Sequence, residues 1–267
     1  MSFIRIDQPR PNVALVTLNR PERMNAMAFD VMIPFRSALE EISADNDTRI
    51  VVVTGAGDGF SSGADLEDPG HLPNVAGLTR TSIARRALEL LDDVVLTLRR
   101  MHQPVLAAVN GPAIGGGFCL AMAMDVRLAS ERAVFRAAGI SNGLTASELG
   151  ISYLLPRAVG ASRAFEIMLS GRDVDAAEAE RIGLVSRTVP SDDLLDAAYD
   201  LAERIIGFSR VGVEVTKRLL WSSLDASSLA AHMDHEGHAQ LYVRLTTENF
   251  EEAVRARKEC RSPVHRD

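Results

Sequence analysis

Short apolar runs rich in β-branched residues recur along the first two thirds of the chain. Four such runs are bounded by turn-forming residues, at 13–18, 50–54, 105–109 and 126–129. Runs of this length that are apolar throughout are typical of strands buried within a sheet. The pattern therefore predicts a buried β-sheet built from these four segments.

Helical periodicity lies between the runs. Residues spaced three or four apart form one apolar face: Met32, Phe35, Leu39 and Ile42. A second helix is predicted over 82–101, with an apolar stripe of Leu88, Leu91, Val95 and Leu98. Because strands alternate with helices, the sequence predicts an α/β fold.

The last third of the chain has a different pattern of apolar residues. Its periodicity predicts five helices, at 161–170, 175–182, 192–206, 211–222 and 227–246. We interpret this region as a small helical subdomain or an arm used in oligomerisation. The charged tail at 255–267 is expected to be solvated.

One uncharged run, 103–124, is long enough to span a bilayer. It contains Pro104, the turn Asn110-Gly111-Pro112 and the triplet Gly115-Gly116-Gly117, which would break a continuous helix. A strand, a turn, a glycine loop and a buried helix beginning near Gly117 fit the run better. The chain also begins without the pattern of a secretory signal, so we expect no membrane partner.

The composition and net charge of the chain exclude some classes of function. The 267 residues carry a formal net charge of −7, which argues against a general nucleic-acid binder because phosphate backbones attract clustered positive charge. The two cysteines, Cys119 and Cys260, cannot form a disulfide framework and are not spaced as a metal pair. These features fit a protein of the reducing cytoplasm.

Two glycine-containing loops follow predicted strands, at 54–66 and 110–121. The first lacks the spacing of a dinucleotide-binding loop, and neither has the Gly-Lys-Ser/Thr of a phosphate-binding loop. In the second, three glycines enter a helix and expose backbone N–H groups that could receive an anion or an oxyanion. The alternative is that the glycines only allow the helix to pack closely on the sheet.

Together these segments resemble the crotonase (enoyl-CoA hydratase/isomerase) superfamily. Its three signature stretches are matched by residues 19–27, by Ser-Gly-Ala-Asp-Leu at 62–66 and by residues 110–117. Two later stretches of the family are matched as well. They are a turn, matched by Leu-Pro-Arg-Ala-Val-Gly at 155–160, and a segment matched by residues 183–190. The resemblance runs from about residue 4 to about 262. It implies a spiral core of ββα turns over 1–200 and a helical C-terminal subdomain over 201–267. It also implies a homotrimer or hexamer, and a coenzyme A thioester as substrate rather than a permanently bound cofactor.

The resemblance further implies which residues hold the substrate. In the family two backbone N–H groups bind the thioester oxygen, and they match Ala64 and Gly116. Arg23, with the backbone around Ala26, matches the region that meets the nucleotide end of coenzyme A. The implied coenzyme A contacts are therefore Arg23, Ala26, Ala64, Asp65, Leu66 and Gly116. Two alternatives stay open: a solvated surface role for Arg23, and a role for Asp65 in fixing the loop that presents Ala64.

Departures from the family pattern bear on the reaction. Family hydratases use two glutamates, and this chain has Cys119 and Gly139 at the matching positions. Glu148, eight residues before Pro156, matches the position of the catalytic acid in the family's isomerases. We therefore expect double-bond isomerisation through an oxyanion-stabilised enolate, with Glu148, Ala64 and Gly116 as catalytic groups. The alternatives are a weak or unusual hydratase, and an acyl-CoA-binding protein in which Glu148 caps its helix or pairs with Arg157.

Other candidates are interpreted as structural. His232, His235 and His238 repeat at steps of three, which on a helix places them on a drifting stripe rather than around one point. We expect a solvated or subunit-facing surface there and no metal. A nucleophilic role for Cys119 would need a nearby base, so a small apolar core residue is the preferred interpretation.

Overall fold

The computed structural model describes residues 2–266, in which strands and helices alternate as far as the middle of the chain. The strands in this range are β1 (Ile4–Arg10), β2 (Val13–Leu18), β3 (Ile50–Gly55), β4 (Val105–Val109), β5 (Ala113–Ile114), β6 (Val126–Ser130), β7 (Val134–Arg136), β8 (Val174–Asp175) and β9 (Arg187–Val189). The α-helices are α1 (Phe29–Ala44), α2 (Arg80–Arg100), α3 (Gly116–Ala123), α4 (Ile151–Val159), α5 (Ala161–Ser170), α6 (Ala176–Arg181), α7 (Leu194–Ile206), α8 (Arg210–Ser223), α9 (Leu229–Thr246) and α10 (Asn249–Lys258). This alternation is the predicted α/β arrangement.

The larger sheet has the strand order β1-β2-β3-β4-β6-β9 and is parallel except for the β1–β2 pair. Successive residues point to opposite faces, so Val51 and Val53 of β3 join one apolar cluster while Ile50 and Val52 join another. The first cluster includes residues of α1 to α3, and the second is closed by α7. Since both faces are covered, the central strands β2, β3 and β4 are fully buried and predominantly apolar, as parallel strands usually are. A smaller sheet has the order β5-β7-β8.

All four predicted strands are confirmed as β2, β3, β4 and β6. The sequence pattern missed β1, because an edge strand with exposed charged residues such as Arg5 and Asp7 forms no apolar run. The predicted stripe of α2 is wrong at Leu88, which is 61% exposed. Only the last part of α2 is packed on the core, through Val94, Val95 and Leu98.

The C-terminal region is helical, as predicted. The five predicted helices correspond to α5, α6, α7, α8 and α9 within one or two residues at each end. The expectation of a solvated tail is wrong in part, because α10 includes its first residues and Ala256 is fully buried. Residue 267 lies outside the described residues. The boundary at residue 200 stays a prediction, and it falls inside α7.

The uncharged run 103–124 forms β4, β5 and α3 rather than one long helix. No helix within residues 2–266 is both long and apolar enough to cross a membrane. The segment 155–160 was expected to be a turn, but Pro156 lies inside α4. The chain turns at Gly160, where α4 ends and α5 begins with a backbone φ of +82°.

Candidate active site

Two loops meet where β3 and β4 end. Parallel strands bring their carboxyl ends to one edge of a sheet, which is where α/β proteins commonly bind ligands. Asn110 joins the loops: its Oδ1 accepts from Gly55 N at 3.1 Å and its Nδ2 donates to Gly57 O at 3.0 Å. Further along, Ile114 N donates to Ser61 O at 2.9 Å. The loop after β3 therefore runs beside the loop that leads into α3.

Ala64 lies in this paired region, beside the segment that precedes α1. Met27 N donates to Gly63 O at 2.7 Å, and Asp65 N donates to Met27 O at 3.4 Å. These two hydrogen bonds flank Ala64 and leave its own N–H directed away from Met27. Gly63 has φ +83°, and a Cβ there would lie 2.6 Å from Ile114 O. Only glycine fits at this position.

Gly116 has the second N–H group without a partner in the described part of the protein. It is the first residue of α3, so its N–H has no carbonyl one turn earlier in the helix. A Cβ on Gly63 would lie only 3.0 Å from Gly116 N, which places the Ala64 loop directly against this helix end. Within residues 2–266, neither Ala64 N nor Gly116 N donates a hydrogen bond to the protein. Two adjacent N–H groups without partners can bind an oxyanion.

Glu148 lies in the segment that leads into α4. Its Oε1 is 3.5 Å from the position of a Cβ on Gly115, the neighbour of Gly116. Leu149 follows with φ +46°, a left-handed conformation that a leucine rarely adopts and that costs about 1–3 kcal/mol. Ile151 N then donates to Glu148 O at 3.0 Å as α4 begins. The backbone is thus held in an unfavourable conformation directly after the carboxylate that faces the glycine loop.

The Glu148 carboxylate is isolated. No side-chain hydrogen bond or ion pair to it occurs in the part of the chain that the structure describes. The predicted alternative, an ion pair with Arg157, is wrong, because that guanidinium donates to Tyr153 O at 2.9 Å and lies 3.6 Å from the centre of the Tyr153 ring. Glu148 also precedes its helix instead of lying on it. Although the residue as a whole is exposed, the protein around its carboxylate withdraws enough water to raise its pKa.

The two positions at which family hydratases have glutamates hold no carboxylate. Cys119 lies on α3 in the core, and burial together with the negative charge of Glu148 raises the pKa of its thiol. The thiol therefore stays protonated, as its interpretation as a core residue requires. A Cβ on Gly139 would lie 2.1 Å from Thr145 O. The backbone oxygen of Thr145 thus occupies the space that a side chain at 139 would need.

The implied coenzyme A contacts lie around the Ala64 loop. Arg23 is held by two carboxylates: its Nη2 donates to Asp65 Oδ1 at 2.7 Å and its Nη1 to Glu67 Oε2 at 2.6 Å. Asp65 is buried, Leu66 is 74% exposed and Ala26 is buried. Arg23 is therefore not the freely solvated arginine of the alternative interpretation. Contact of these residues with coenzyme A stays a prediction.

Two of the three histidines of α9 have separate partners. His232 Nε2 lies 3.5 Å from Glu236 Oε1, and His238 Nδ1 lies 2.7 Å from Asp234 O. Among residues 2–266, no three histidine, cysteine or acidic side chains lie close enough together to hold a metal ion.

Sequence reasoning missed two groups that shape the site. The Thr145 carbonyl and the left-handed backbone of Leu149 are features of the main chain. Neither residue type signals them, although Gly150 directly after Leu149 marks a turn before a helix.

The comparisons with known proteins agree with the fold. A family model described as enoyl-CoA hydratase/isomerase matches residues 9–267. The chain belongs to the enoyl-CoA hydratase/isomerase family, and its fold is the crotonase fold.

Several relatives match nearly the whole chain. A Mycobacterium tuberculosis protein named "Probable enoyl-CoA hydratase EchA12" is 66% identical over 267 residues, which are 100% of this chain and 94% of that protein. A crystal structure of a probable enoyl-CoA hydratase/isomerase from Mycobacterium abscessus is 66% identical, has a TM-score of 0.96 and covers 100% of this chain and 99% of its own. A structure described as a monofunctional enoyl CoA isomerase from M. smegmatis is 61% identical, has a TM-score of 0.75 and covers 87% of this chain and 99% of its own.

Proposed function

We propose that the protein is an enoyl-CoA isomerase, which moves the double bond of a 3-enoyl-CoA into conjugation with the thioester. The observation that carries the proposal is one unpaired carboxylate, Glu148, beside two adjacent N–H donors at Ala64 and Gly116. A single base with an oxyanion site is what a proton transfer between two carbons next to an enolate needs.

The reaction uses the carboxylate twice. Glu148 takes a proton from C2 of the substrate, and the electron pair spreads over the double bond and the carbonyl to give a dienolate. The N–H groups of Ala64 and Gly116 donate to its oxygen, and one such donor contributes about 3–4 kcal/mol. The protonated Glu148 then returns the proton at C4, and the double bond forms between C2 and C3. No atom is gained or lost, and the carboxylate is regenerated.

The electrostatics support this role. Burial raises the pKa of Glu148 and so makes its carboxylate a stronger base than an exposed glutamate. Within the described residues no arginine or lysine pairs with it and offsets that effect.

Hydration would require two catalytic groups in the site. One group must activate water and another must deliver a proton. Cys119 has a buried, protonated thiol, and Gly139 has no side chain and no room for one. The names of relatives do not discriminate, because those about equally similar include both hydratases and an isomerase. A weak hydratase and an acyl-CoA-binding protein without catalysis are the competing outcomes of the experiment.

The experiment follows the ultraviolet absorbance of the conjugated thioester after the protein is mixed with a medium-chain 3-enoyl-CoA. We expect the absorbance to rise with the native protein and the rate to fall about 1,000-fold in Glu148→Gln, since that side chain cannot accept the proton. Glu131→Gln is the control: it makes the same change at an exposed position in the turn between β6 and β7 and should keep the native rate.

Other results would contradict the proposal in distinct ways. Equal rates in the native protein and Glu148→Gln would remove Glu148 from the mechanism. Loss of absorbance when the protein is given a 2-enoyl-CoA, without isomerisation of the 3-enoyl-CoA, would identify a hydratase. Binding of both thioesters without any change in absorbance would identify an acyl-CoA-binding protein.

The proposal includes the setting implied by the family. Coenzyme A enters as part of the substrate, and the working assembly is a homotrimer or hexamer in the cytoplasm. Light scattering on the purified protein measures the size of the assembly directly.

A further inference from the structure

A buried carboxylate directly follows the Ala64 donor. The side chain of Asp65 is 1% exposed. Its Oδ1 accepts hydrogen bonds from two backbone groups of its own loop, Glu67 N at 3.1 Å and Asp68 N at 2.9 Å. Asp65 therefore closes the turn that follows Ala64.

Two guanidinium groups complete the surroundings of this carboxylate. Arg20 Nη1 donates to Oδ2 at 2.8 Å, and Arg23 Nη2 donates to Oδ1 at 2.7 Å. Arg20 is itself nearly buried, with a side chain that is 10% exposed, while that of Arg23 is 34% exposed. Because charged and neutral donors satisfy both oxygens, the pKa of Asp65 lies well below its usual range and the group stays ionised at neutral pH.

The arginines belong to a segment that is itself fixed to the same loop. Arg20 N donates to Asn25 Oδ1 at 2.9 Å. Asn25 Nδ2 donates to Ala56 O at 2.9 Å and to Gly59 O at 2.8 Å. Residues 20–27 are thus attached to both ends of the loop that carries Ala64.

The direction of the Ala64 N–H depends on these contacts. Before Ala64, the short Met27 N to Gly63 O hydrogen bond fixes the backbone; after it, the Asp65 N to Met27 O hydrogen bond is long, at 3.4 Å. A hydrogen bond of that length restrains the chain weakly. The Asp65 side chain is therefore the main restraint on the backbone that follows the donor.

We propose that Asp65 is a positioning residue: held by Arg20 and Arg23, it directs the N–H of Ala64 toward the thioester oxygen. The inference rests on the proposed function, because it assumes that Ala64 binds that oxygen. It also assigns Arg23 to the loop rather than to the phosphates of coenzyme A. Asp65 does not touch the substrate and acts only through Ala64.

The test compares Asp65→Asn with the native protein in two measurements. The first is the infrared carbonyl band of a saturated acyl-CoA labelled with carbon-13 at the thioester, which shifts to lower frequency when N–H groups donate to the oxygen and needs no turnover. The second is the steady-state rate with the 3-enoyl-CoA. We expect Asp65→Asn to move the band back toward its position for the free thioester. We also expect kcat to fall about 10- to 100-fold while KM changes by less than about threefold, since a donor displaced by a fraction of an ångström loses transition-state binding.

Asp68→Asn is the matched control. It changes a carboxylate of the same cluster that is 69% exposed and lies 3.5 Å from Arg20 Nη2. This variant should keep the native band and a kcat within about twofold of the native value. An Asp65→Asn protein with the native band overturns the proposal, whether its kcat is unchanged or falls together with its thermal stability.

A second variant covers the case in which Asp65→Asn does not fold. Arg23→Gln removes one guanidinium and leaves Arg20 paired with Asp65, so it should shift the band and kcat in the same direction by a smaller amount. A native band and native kcat in Arg23→Gln would then overturn the proposal. Failure of the proposed function gives a different result: the native protein would shift the band on binding but would not convert the 3-enoyl-CoA.

Discussion

Two carboxylates near the unpaired N–H groups of Ala64 and Gly116 lie in opposite environments. Asp65 is almost fully buried and accepts hydrogen bonds from two arginines and two backbone groups. The carboxylate of Glu148 belongs to a more exposed residue, yet it has no hydrogen-bond or ion-pair partner among the described residues. The pKa is lowered for Asp65 by its donors and raised for Glu148 by burial.

These two environments suit the carboxylate group to two different roles. A carboxylate with every lone pair engaged stabilises the fold but cannot take up a proton at neutral pH. A carboxylate without donors adds nothing to the fold but remains free to accept one. Burial by itself raises the pKa of both carboxyl groups, so the number of hydrogen-bond donors is what makes the two pKa shifts opposite.

The largest expected difference between Asp65 and Glu148 is in their contributions to the free energy of unfolding. We expect Asp65→Ala to lower the free energy of unfolding by about 3 kcal/mol, because it removes the buried partner of Arg20 and leaves that nearly buried guanidinium with only the exposed carboxylate of Asp68. Glu148→Ala should change it by less than about 0.5 kcal/mol, since it removes a side chain without a hydrogen bond. Urea unfolding at neutral pH measures both values, and equal losses would break the comparison.

The second effect is on the pH dependence of activity. Glu148 must be ionised to accept a proton, so kcat/KM should fall as the pH drops below its raised pKa, by up to about tenfold per pH unit. The pKa of Asp65 is shifted in the opposite direction, so this group takes up its proton only at a lower pH than Glu148. Its contribution to stability is complete above the pKa of the unfolded chain and is lost only in much stronger acid.

The fall of kcat/KM in acid should therefore be reversible, because Asp65 still stabilises the fold at the pH at which Glu148 takes up a proton. A pH–rate profile measured alongside circular dichroism separates loss of the base from unfolding. A kcat/KM that rises as the pH falls through this range would rule out Glu148 as the base.

The smallest effect concerns the backbone that holds Glu148. Leu149→Gly removes the left-handed strain at φ +46°, so glycine can sample conformations in which the carboxylate turns away. We expect kcat to fall about fivefold, with stability nearly unchanged because relief of strain offsets the lost contacts. Steady-state kinetics and thermal unfolding measure the two quantities.

Asn74→Gly is the control for this change. Asn74 also has a left-handed backbone, with φ +58°, but it lies in the exposed loop before α2. It should keep the native kcat. A Leu149→Gly protein with the native kcat would show that this conformation has no part in placing the base.

Much of the fold could be predicted from side-chain pattern. Strands such as β2 and β4 are buried on both faces, so their apolar runs have the same bounds as the strands. The pattern failed at Leu88, because spacing records which residues share a helix face but not how far along the helix other elements cover it. It failed at β1 because an edge strand is only partly buried.

For the candidate site, the segments that lie together could be predicted, but their contacts could not. Motif matches and offsets selected Ala64, Gly116 and Glu148, and the structure brings the three segments together. The isolation of Glu148 could not be predicted, because it depends on Arg157 stacking on Tyr153 instead of turning toward the carboxylate. The network around Asp65 joins residues about forty positions apart, and no local pattern signals such contacts.

The contact between Gly139 and the Thr145 carbonyl has an evolutionary consequence. A glutamate at 139 would collide with main chain, because its Cβ would lie 2.1 Å from Thr145 O. To acquire a second carboxylate there, a descendant of this protein would first need a different path for the segment that includes residue 145, through insertion, deletion or several substitutions. A change of reaction in this lineage is therefore a change of loop architecture, which single mutations reach slowly.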